Sequence, residues 1–339
     1  MAERRIAIAE TPLRIGCAGG GTDTFGGSPC HVVSFAINRF VTVVAGRHFF
    51  PDDIRASYSK TEDGLKHVSQ IEHPTIRESM RLTRLGEGHQ TTTVTDIPWR
   101  GTGLGSSSSC TVGLLHAYHA LRREQVSQWQ LAAEAIKIER DVLREHGGVQ
   151  DQVMAAYGGI KEITFEKTEP GTPMHAIPIN VKDIPISNSD IQLLEQHTML
   201  FYTGIERSSA SIHTKQAKEA GAHAEEYELL RQNAREMARA IAKADMQDIG
   251  ELLREGWEIK RKLTAGVSTA EIDAWYAKAR AAGMMGGKIT GAGGGGFLFG
   301  FASPDKQPAI RKALPLRDIT TEAPFGVELR GSRILYVAD

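Results

Sequence analysis

The sequence has little of several features that mark particular classes of protein. It contains three cysteines in 339 residues, Cys17, Cys30 and Cys110, and their spacing matches no metal-binding motif. An odd number of widely spaced cysteines predicts reduced thiols and a cytoplasmic protein rather than a disulfide framework. Cys17 and Cys110 lie beside glycine-rich segments and could be reactive, but the simpler hypothesis is that they serve packing.

The sequence also lacks an excess of charge and any long apolar segment. Its 40 basic and 41 acidic residues give a net charge of −1, and no long basic run occurs. Nucleic acid and anionic membranes are therefore not expected as main partners. No apolar stretch reaches the roughly 18 residues that span a membrane, and residues 1–14 lack the apolar core of a signal peptide. With 41% hydrophobic residues the chain can form ordinary cores, and its length predicts two domains.

Glycine, in contrast, is abundant, and its 35 residues cluster near three segments, 16–27, 101–105 and 283–300. In the second segment glycines alternate, and four serines and a periodic apolar run follow them. This pattern predicts a glycine loop that enters an α-helix with serine at the N-cap. Such a helix start binds phosphate, because its first N–H groups lack partners and the helix dipole is positive there. A plain capped turn is the alternative interpretation.

Two well-known phosphate-binding motifs do not fit these segments. The Walker motif requires a lysine that residues 101–109 lack. Residues 291–296 formally match the dinucleotide-binding pattern, but that pattern must follow a strand and open a helix. Here the apolar segment 297–301 follows instead, and it predicts a strand. The third glycine segment therefore indicates close backbone approach rather than a Rossmann fold.

Four charged side chains are candidate site residues. Arg14 and Asp23 flank the first glycine segment, where a guanidinium could steady an anion and a carboxylate could accept sugar hydroxyls. A surface arginine and a turn-forming aspartate are the alternative. Glu139 lies on a predicted helix and Asp151 follows the glycines at its end, so the functional hypothesis gives Glu139 to Mg²⁺ and Asp151 to an acceptor hydroxyl. A simple turn role for Asp151 stays open.

Hydrophobic periodicity gives a coarse map of secondary structure. Strands are predicted at 5–9, 32–45, 192–202, 297–301 and 334–337. Helices are predicted after the glycine loop and near 73–85, 127–147, 222–244, 246–263 and 269–282. Capping boxes at Ser127 and Ser268 mark two helix starts. Prolines and lost periodicity over 161–190 indicate a boundary, which divides the chain into domains 1–175 and 176–339.

Three segments in this order, 12–23, 98–109 and 286–297, resemble the motifs of the GHMP kinases, a family that includes galactokinase, homoserine kinase and mevalonate kinase. The resemblance spans nearly the whole chain. It implies an α/β fold of two domains, with an N-terminal half like the second domain of ribosomal protein S5 and a ferredoxin-like C-terminal half. The active site is then expected between the two halves.

The resemblance assigns roles residue by residue. A loop for the phosphates of ATP would comprise Gly101, Gly103, Leu104, Gly105, Ser106, Ser107 and Ser108. Ser107 and Glu139 match the residues that hold Mg²⁺, Asp151 matches the catalytic carboxylate, and Arg14 is a second catalytic candidate. Substrate contacts are expected from Gly20, Gly21, Thr22, Asp23, Gly293 and Gly294, with Arg207 and Lys288 as candidates for a substrate phosphate. ATP and Mg²⁺ are the implied cofactors.

Departures within the family narrow the expected substrate. The galactokinase signature Gly-Glu-His-Thr-Asp is absent, because residues 20–23 read Gly-Gly-Thr-Asp, and Trp99 stands where a proline is usual. Residues 18–23, 201–208 and 291–297 resemble bacterial D-glycero-D-manno-heptose 7-phosphate kinases. That resemblance implies ATP-dependent phosphorylation of the anomeric hydroxyl to the 1,7-bisphosphate, in the bacterial cytoplasm, for lipopolysaccharide, capsule or related glycans.

Other functions stay open at this stage. The nearest rival is a 1-kinase of an unphosphorylated sugar such as L-fucose, and a second is a sensor that binds sugar and nucleotide without turnover. An isoprenoid kinase fits the first motif poorly. The expected partners are a small sugar phosphate and ATP, without nucleic acid or membrane, and a homodimer is also considered.

Overall fold

The computed structural model describes residues 5–24, 28–98, 101–169, 171–205, 212, 214–216, 219–314 and 322–338. The strands among them are β1 (Ile6–Ala18), β2 (Cys30–Arg47), β3 (Ile54–Ser57), β4 (Thr61–Leu65), β5 (His89–Thr95), β6 (Ile160–Phe165), β7 (Asn180–Asp183), β8 (Thr198–Tyr202), β9 (Gly286–Ile289), β10 (Phe297–Phe301) and β11 (Arg333–Ala338).

The α-helices of the described segments of the chain are α1 (Pro74–Leu82), α2 (Ser106–Leu121), α3 (Gln128–Ile136), α4 (Gln150–Tyr157), α5 (Asn188–His197), α6 (Ala224–Ala242), α7 (Met246–Lys260), α8 (Ala270–Ala281) and α9 (Gln307–Ala313). A π-helical turn, Lys137–Val142, continues α3. None of the helices described is long and apolar enough to cross a bilayer.

A large sheet with the order β11-β1-β2-β5-β3-β4 forms the frame of the molecule. The long strand β2 pairs with β6 through residues 30–35 and with β5 through residues 41–47, and β7 extends the sheet beyond β6. Alternate residues Val41, Val43 and Ala45 of β2 are buried, as the period of a strand requires. This burial confirms the predicted strand near 32–45.

A second, antiparallel sheet has the order β8-β10-β9. Every residue of β10 is buried, because its side chains enter two different cores. Phe297, Phe299 and Phe301 belong to the core of the large sheet, where the Phe299 ring centroid lies 5.9 Å from that of Phe35. Leu298 belongs to the second core, with Trp257. Burial on both faces explains the continuous apolar run of this strand.

Two sheet strands come from far along the chain. The strand β11 pairs antiparallel with β1, with Ile6 opposite Ala338, and β7 at 180–183 also joins the large sheet. The large sheet therefore draws on residues well beyond position 175.

The prediction of a strand over 192–202 was wrong in its first half. The helix α5 occupies Asn188–His197, and only Thr198–Tyr202 is extended. The Ser187 hydroxyl accepts a hydrogen bond from the Asp190 amide and caps this helix, while Ile191 and Leu194, three residues apart, bury one face.

Three helix boundaries also differ from prediction. The N-cap of α2 is Gly105 in the left-handed region (φ +78°), not a serine. Thr269, not Ser268, caps α8, because the Thr269 hydroxyl accepts from the Ile272 amide. The helix predicted to reach residue 147 ends as the π-helical turn at Val142, whose side chain is exposed.

Candidate active site

A cavity of about 580 Å³ opens where the three glycine segments meet. Its walls come from β1, the loop after β1, the start of α2, the π-helical turn, the start of α4, the end of α7 and the loop before β10. The residues that line it include Arg14, Gly21, Asp23, Gly101, Gly103, Gly105, Ser106, Ser107, Ser108, Glu139, Asp151, Lys260 and Gly291.

The second and third glycine segments pack backbone against backbone. A Cβ added to Gly103, whose φ is +67°, would lie 2.4 Å from the Thr290 carbonyl oxygen, and one added to Gly291 would lie 2.6 Å from the Gly103 Cα. The Thr290 hydroxyl donates to the Thr102 carbonyl oxygen at 2.8 Å. Close approach of this kind excludes side chains, so much of the glycine serves to dock one loop on the other.

The packing of the two loops holds the start of α2 at the cavity. Leu104 is fully buried, and its carbonyl oxygen accepts from the Arg14 amide at 2.9 Å. The Ser109 hydroxyl donates to the Pro12 carbonyl oxygen, which fixes the helix against β1. Ser106 and Ser107 line the cavity at the first turn of this helix of 16 residues. Its first amide groups and the positive end of its dipole are therefore available to an anion.

Arg14 and Asp151 form a bidentate pair at the centre of the cavity. The Arg14 Nε and Nη2 atoms donate to the two Asp151 carboxylate oxygens at 2.8 and 2.7 Å, and Nη1 donates to the Gly103 carbonyl oxygen at 2.6 Å. The Arg14 side chain is 6% exposed, whereas that of Asp151 is 23% exposed. The guanidinium thus fixes an accessible carboxylate beside the phosphate loop.

Asp23 is a second carboxylate on the same wall, and it is almost fully buried. It accepts hydrogen bonds from the backbone amides of Gln150 and Gly21 at 3.1 and 3.3 Å. Burial raises the pKa of Asp23, and the charge of Asp151 raises it further. A Cβ at Gly148 would overlap the Asp23 carboxylate, which explains the glycine at that position.

Glu139 lies on the π-helical turn and is 1% exposed. Its Oε2 atom accepts from the Ser108 hydroxyl at 2.8 Å, from the side-chain amide of Gln152 at 2.6 Å and from Arg140 at 3.2 Å, and Oε1 accepts from the Thr111 hydroxyl. Oε1 thus keeps a lone pair, and the exposed Ser107 hydroxyl makes no hydrogen bond to the described residues. Both residues line the cavity, so they fit a hard cation that takes oxygen ligands.

Several predicted substrate residues support the loops instead of facing the cavity. Thr22 donates to the Gly19 carbonyl oxygen at 2.8 Å and accepts from the His31 amide, which fixes the first glycine loop. The Gly294 amide donates to the Val267 carbonyl oxygen at 2.7 Å, and Gly293 packs on the same residue.

The two candidates for a substrate phosphate differ in what the structure shows. The Lys288 ammonium donates to the carbonyl oxygens of Gly16 and Cys17 at 2.8 and 3.4 Å, and Lys288 is not among the cavity-lining residues. Burial lowers the pKa of Lys288 to about 8. Arg207 lies outside the described residues, as does Trp99.

Lys260 lines the cavity and was not predicted. It is 6% exposed, and its ammonium donates to the Gly291 carbonyl oxygen at 2.7 Å. Burial lowers the pKa of Lys260 well below its usual range, and the charges of Lys288 and Arg14 lower it further. One signal in the sequence could have indicated it, because Lys260 continues the buried helix stripe formed by Leu253 and Trp257.

An open helix start, a clamped carboxylate and a buried carboxylate around one cavity define a small-molecule kinase, in which positioning and charge stabilisation carry phosphoryl transfer. Comparison with known proteins agrees with this class. The model of the GHMP kinases N terminal domain matches residues 74–159, and the GHMP kinases C terminal model matches residues 237–317. The chain belongs to the GHMP kinase family, which confirms the family predicted from the three motifs.

Curated relatives place the chain among sugar kinases. It is 29% identical over 325 residues to the D-glycero-alpha-D-manno-heptose 7-phosphate kinase of Campylobacter jejuni, with 90% of this chain and 92% of that protein covered. It is 25% identical to the galactokinase of Pyrococcus furiosus, with 90% and 91% covered. With L-fucokinase/L-fucose-1-P guanylyltransferase of Bacteroides fragilis the identity is 25%, over 94% of this chain and 36% of that protein. The chain is thus a GHMP-family sugar kinase, and ATP is its phosphate donor.

Solved structures confirm the predicted two-domain α/β fold. A D-glycero-D-manno-heptose 1-phosphate kinase from Bacteroides thetaiotaomicron matches with a TM-score of 0.78 at 24% identity, covering 98% of this chain and 100% of that one. A putative sugar kinase from Campylobacter jejuni matches with a TM-score of 0.76 at 25% identity, covering 100% of both. Lactococcus lactis galactokinase complexed with galactose gives 0.75 at 17% identity, over 97% and 95%.

Proposed function

We propose that this kinase transfers the γ-phosphoryl group of ATP to the anomeric hydroxyl of D-glycero-α-D-manno-heptose 7-phosphate, giving the 1,7-bisphosphate. The observation that carries this proposal is the 29% identity, over 90% of the chain, to a kinase of that sugar phosphate. The product would supply activated heptose for lipopolysaccharide, capsule or a related glycan in a bacterial cytoplasm.

The phosphates of ATP bind at the loop 101–105 and the start of α2. Backbone amides of the first helical turn and the hydroxyls of Ser106 and Ser107 are the available donors on this wall. They offset the negative charge of the β- and γ-phosphates, and the docked third loop keeps the donors in place.

Asp151 receives the proton of the anomeric hydroxyl. The hydroxyl oxygen forms a bond to the γ-phosphorus, the bond from that phosphorus to the bridging oxygen of ATP breaks, and ADP leaves. The fork of hydrogen bonds from Arg14 supports this role, because it holds the carboxylate in one orientation beside the phosphate loop.

Ser107 and Glu139 would hold Mg²⁺, which offsets the charge of the triphosphate when bound. Glu139 is itself fixed by four donors from three separate elements, so its free lone pair keeps one direction.

The acceptor sugar lies against the first glycine loop. Asp23 accepts hydrogen bonds from ring hydroxyls, and the backbone of Gly21 lines the cavity beside it. Arg207 and Lys288 remain the proposed contacts for the 7-phosphate. For Lys288 this role requires its ammonium to exchange the Gly16 carbonyl oxygen for a phosphate oxygen.

A second candidate is a 1-kinase of an unphosphorylated sugar such as L-fucose. The relationship to the fucokinase of Bacteroides fragilis, which spans 94% of this chain, favours it. The same catalytic residues would act, and only the phosphate contact would be absent.

The test is ADP release from MgATP with D-glycero-D-manno-heptose 7-phosphate, sedoheptulose 7-phosphate, mannose, L-fucose and galactose in parallel. We expect kcat/KM for the manno-heptose phosphate to exceed that for every free sugar by at least tenfold. Phosphorus NMR should show the new phosphate on the anomeric carbon. Selective turnover of L-fucose would replace the proposal with the second candidate, and sugar binding without ADP release would indicate a sensor.

A further inference from the structure

Lys260 brings a cation from the C-terminal part of the chain into a cavity otherwise built largely by the N-terminal part. It is the last residue of α7, and its ammonium lies on the Gly291 carbonyl oxygen, next to the contact between Gly291 and Gly103. A Cβ at Gly20 would lie 3.5 Å from the same ammonium. Lys260 therefore stands between the phosphate loop and the loop proposed for the acceptor.

Lys260 is buried without a direct ion pair among the described residues. Its ammonium donates to a neutral carbonyl oxygen, that of Gly291, and the cations of Lys288 and Arg14 repel it. Because a buried charge needs a partner of opposite charge, an anion that enters the cavity would stabilise the protonated form of Lys260.

The other two cations already have several partners. Arg14 donates three hydrogen bonds to Asp151 and Gly103, and Lys288 donates to Gly16 and Cys17. Lys260 has three hydrogens to donate and makes one hydrogen bond to the described residues, although it lines the cavity. Lys260 is therefore the cation best able to bind an incoming anion.

We propose that Lys260 is a catalytic residue that binds the γ-phosphoryl group during its transfer. Its ammonium donates to a non-bridging oxygen of that group. The phosphoryl group passes between the phosphate loop at Gly103 and the carboxylate of Asp151. Lys260 is held on Gly291, which packs against Gly103, and the charge of Asp151 acts on its ammonium. This role rests on the proposed catalytic centre but not on the identity of the sugar.

The proposed catalytic role and a purely structural role of Lys260 predict opposite changes in stability when the lysine is replaced. A lysine whose pKa is lowered by folding destabilises the folded protein at neutral pH, and this penalty disappears only above the usual lysine pKa. Replacing the ammonium by an uncharged side chain of similar length should therefore leave the protein as stable as before, or more stable. A lysine kept only to hold the Gly291 carbonyl would give a loss of stability instead.

The test compares Lys260→Met and Lys260→Arg with Lys262→Met, an exposed lysine two residues away. With the sugar that the wild type turns over best, we expect kcat of Lys260→Met to fall about 100- to 1000-fold, as for loss of one donor to a transition state. The KM values for ATP and sugar should change less than fivefold, and Tm should not fall. Lys260→Arg should recover part of kcat, and Lys262→Met should match the wild type.

A binding measurement makes the result independent of the acceptor. Calorimetry with MgADP and aluminium fluoride, which imitates the transferred group, should show at least a 100-fold loss of affinity in Lys260→Met, with MgADP alone bound as before. Equal affinity for the aluminium fluoride complex would overturn the proposal, whatever sugar proves to be the substrate. So would an activity loss confined to phosphorylated acceptors, because Lys260 would then be the clamp for the substrate phosphate.

Discussion

The substitution Asp151→Asn distinguishes the role of Asp151 as a proton acceptor from its role in holding Arg14. The side chain keeps its size, but it can no longer accept a proton, and it offers Arg14 one oxygen instead of two. The wild-type carboxylate accepts from Arg14 at 2.8 and 2.7 Å. In the variant one of these donors faces an amide NH₂ group, so one charge-assisted hydrogen bond is lost.

The two effects differ in size. Loss of a hydrogen bond to a charged group costs about 1.5–3 kcal/mol, but Asp151 is 23% exposed and the repulsion that it exerts on Asp23 is relieved. We therefore expect a destabilisation of about 1 kcal/mol, or roughly 1–2 °C in Tm for a chain of this length. Loss of a general base should lower kcat about 1000-fold.

The assay is ADP release at saturating MgATP and sugar, with Tm measured on the same samples. Asp273→Asn is the matched control, because Asp273 pairs with Arg261 at 3.3 Å and does not line the cavity. It should keep wild-type kcat. If Asp151→Asn retains more than a tenth of wild-type kcat while folded, Asp151 does not receive the proton.

Three further predictions concern the loops, the acceptor wall and the thiols. Gly103→Ala should lose most of its activity and a large part of its stability, because the new Cβ would meet the Thr290 carbonyl oxygen at 2.4 Å. Gly64→Ala is the control, since Gly64 has a similar φ but open space around it. It should keep its activity and lose only about 1 kcal/mol of unfolding free energy, measured by denaturant titration. Asp23→Asn should raise the KM for sugar at least tenfold while raising Tm at pH 7. The sign follows because folding raises the Asp23 pKa, so its ionised form destabilises the folded state above the ordinary carboxyl range, and the gain in Tm should shrink as pH falls into that range. The three buried cysteines should not react with a thiol reagent until the protein is denatured. Burial raises the pKa of Cys110 to about 12 and also raises that of Cys17, so little reactive thiolate is present. Rapid reaction of the native protein would contradict this prediction.

The parts of the fold that could be predicted from sequence are those with local causes. Periodic apolar residues predicted the helices α6, α7 and α8 to within a few residues, alternation predicted β2, and a short apolar run predicted β10. The error at 192–202 arose where two local signals overlapped. The apolar pair Leu193 and Leu194 looked continuous with the strand, although the cap at Ser187 marks a helix start.

The candidate site could be predicted where one motif carries several residues. The loop 101–108 apart from the buried Leu104 lines one cavity together with Arg14, Asp23, Glu139 and Asp151. Lys260 could not be placed, because nothing local brings the end of a helix near residue 260 to a loop near residue 291. Its position depends on packing between elements that are far apart in sequence, and so does the contact of Gly103 with Thr290.

The pairing of β11 with β1 has a consequence for how the protein is made. While the chain leaves the ribosome, β1 and β2 can pair early, but the other edge of β1 has no partner until residues 333–338 have been synthesised. An unpaired strand edge can pair with another chain, so nascent or truncated chains are open to association through β1. The phosphate-binding half therefore completes its sheet only after the whole C-terminal half has been translated.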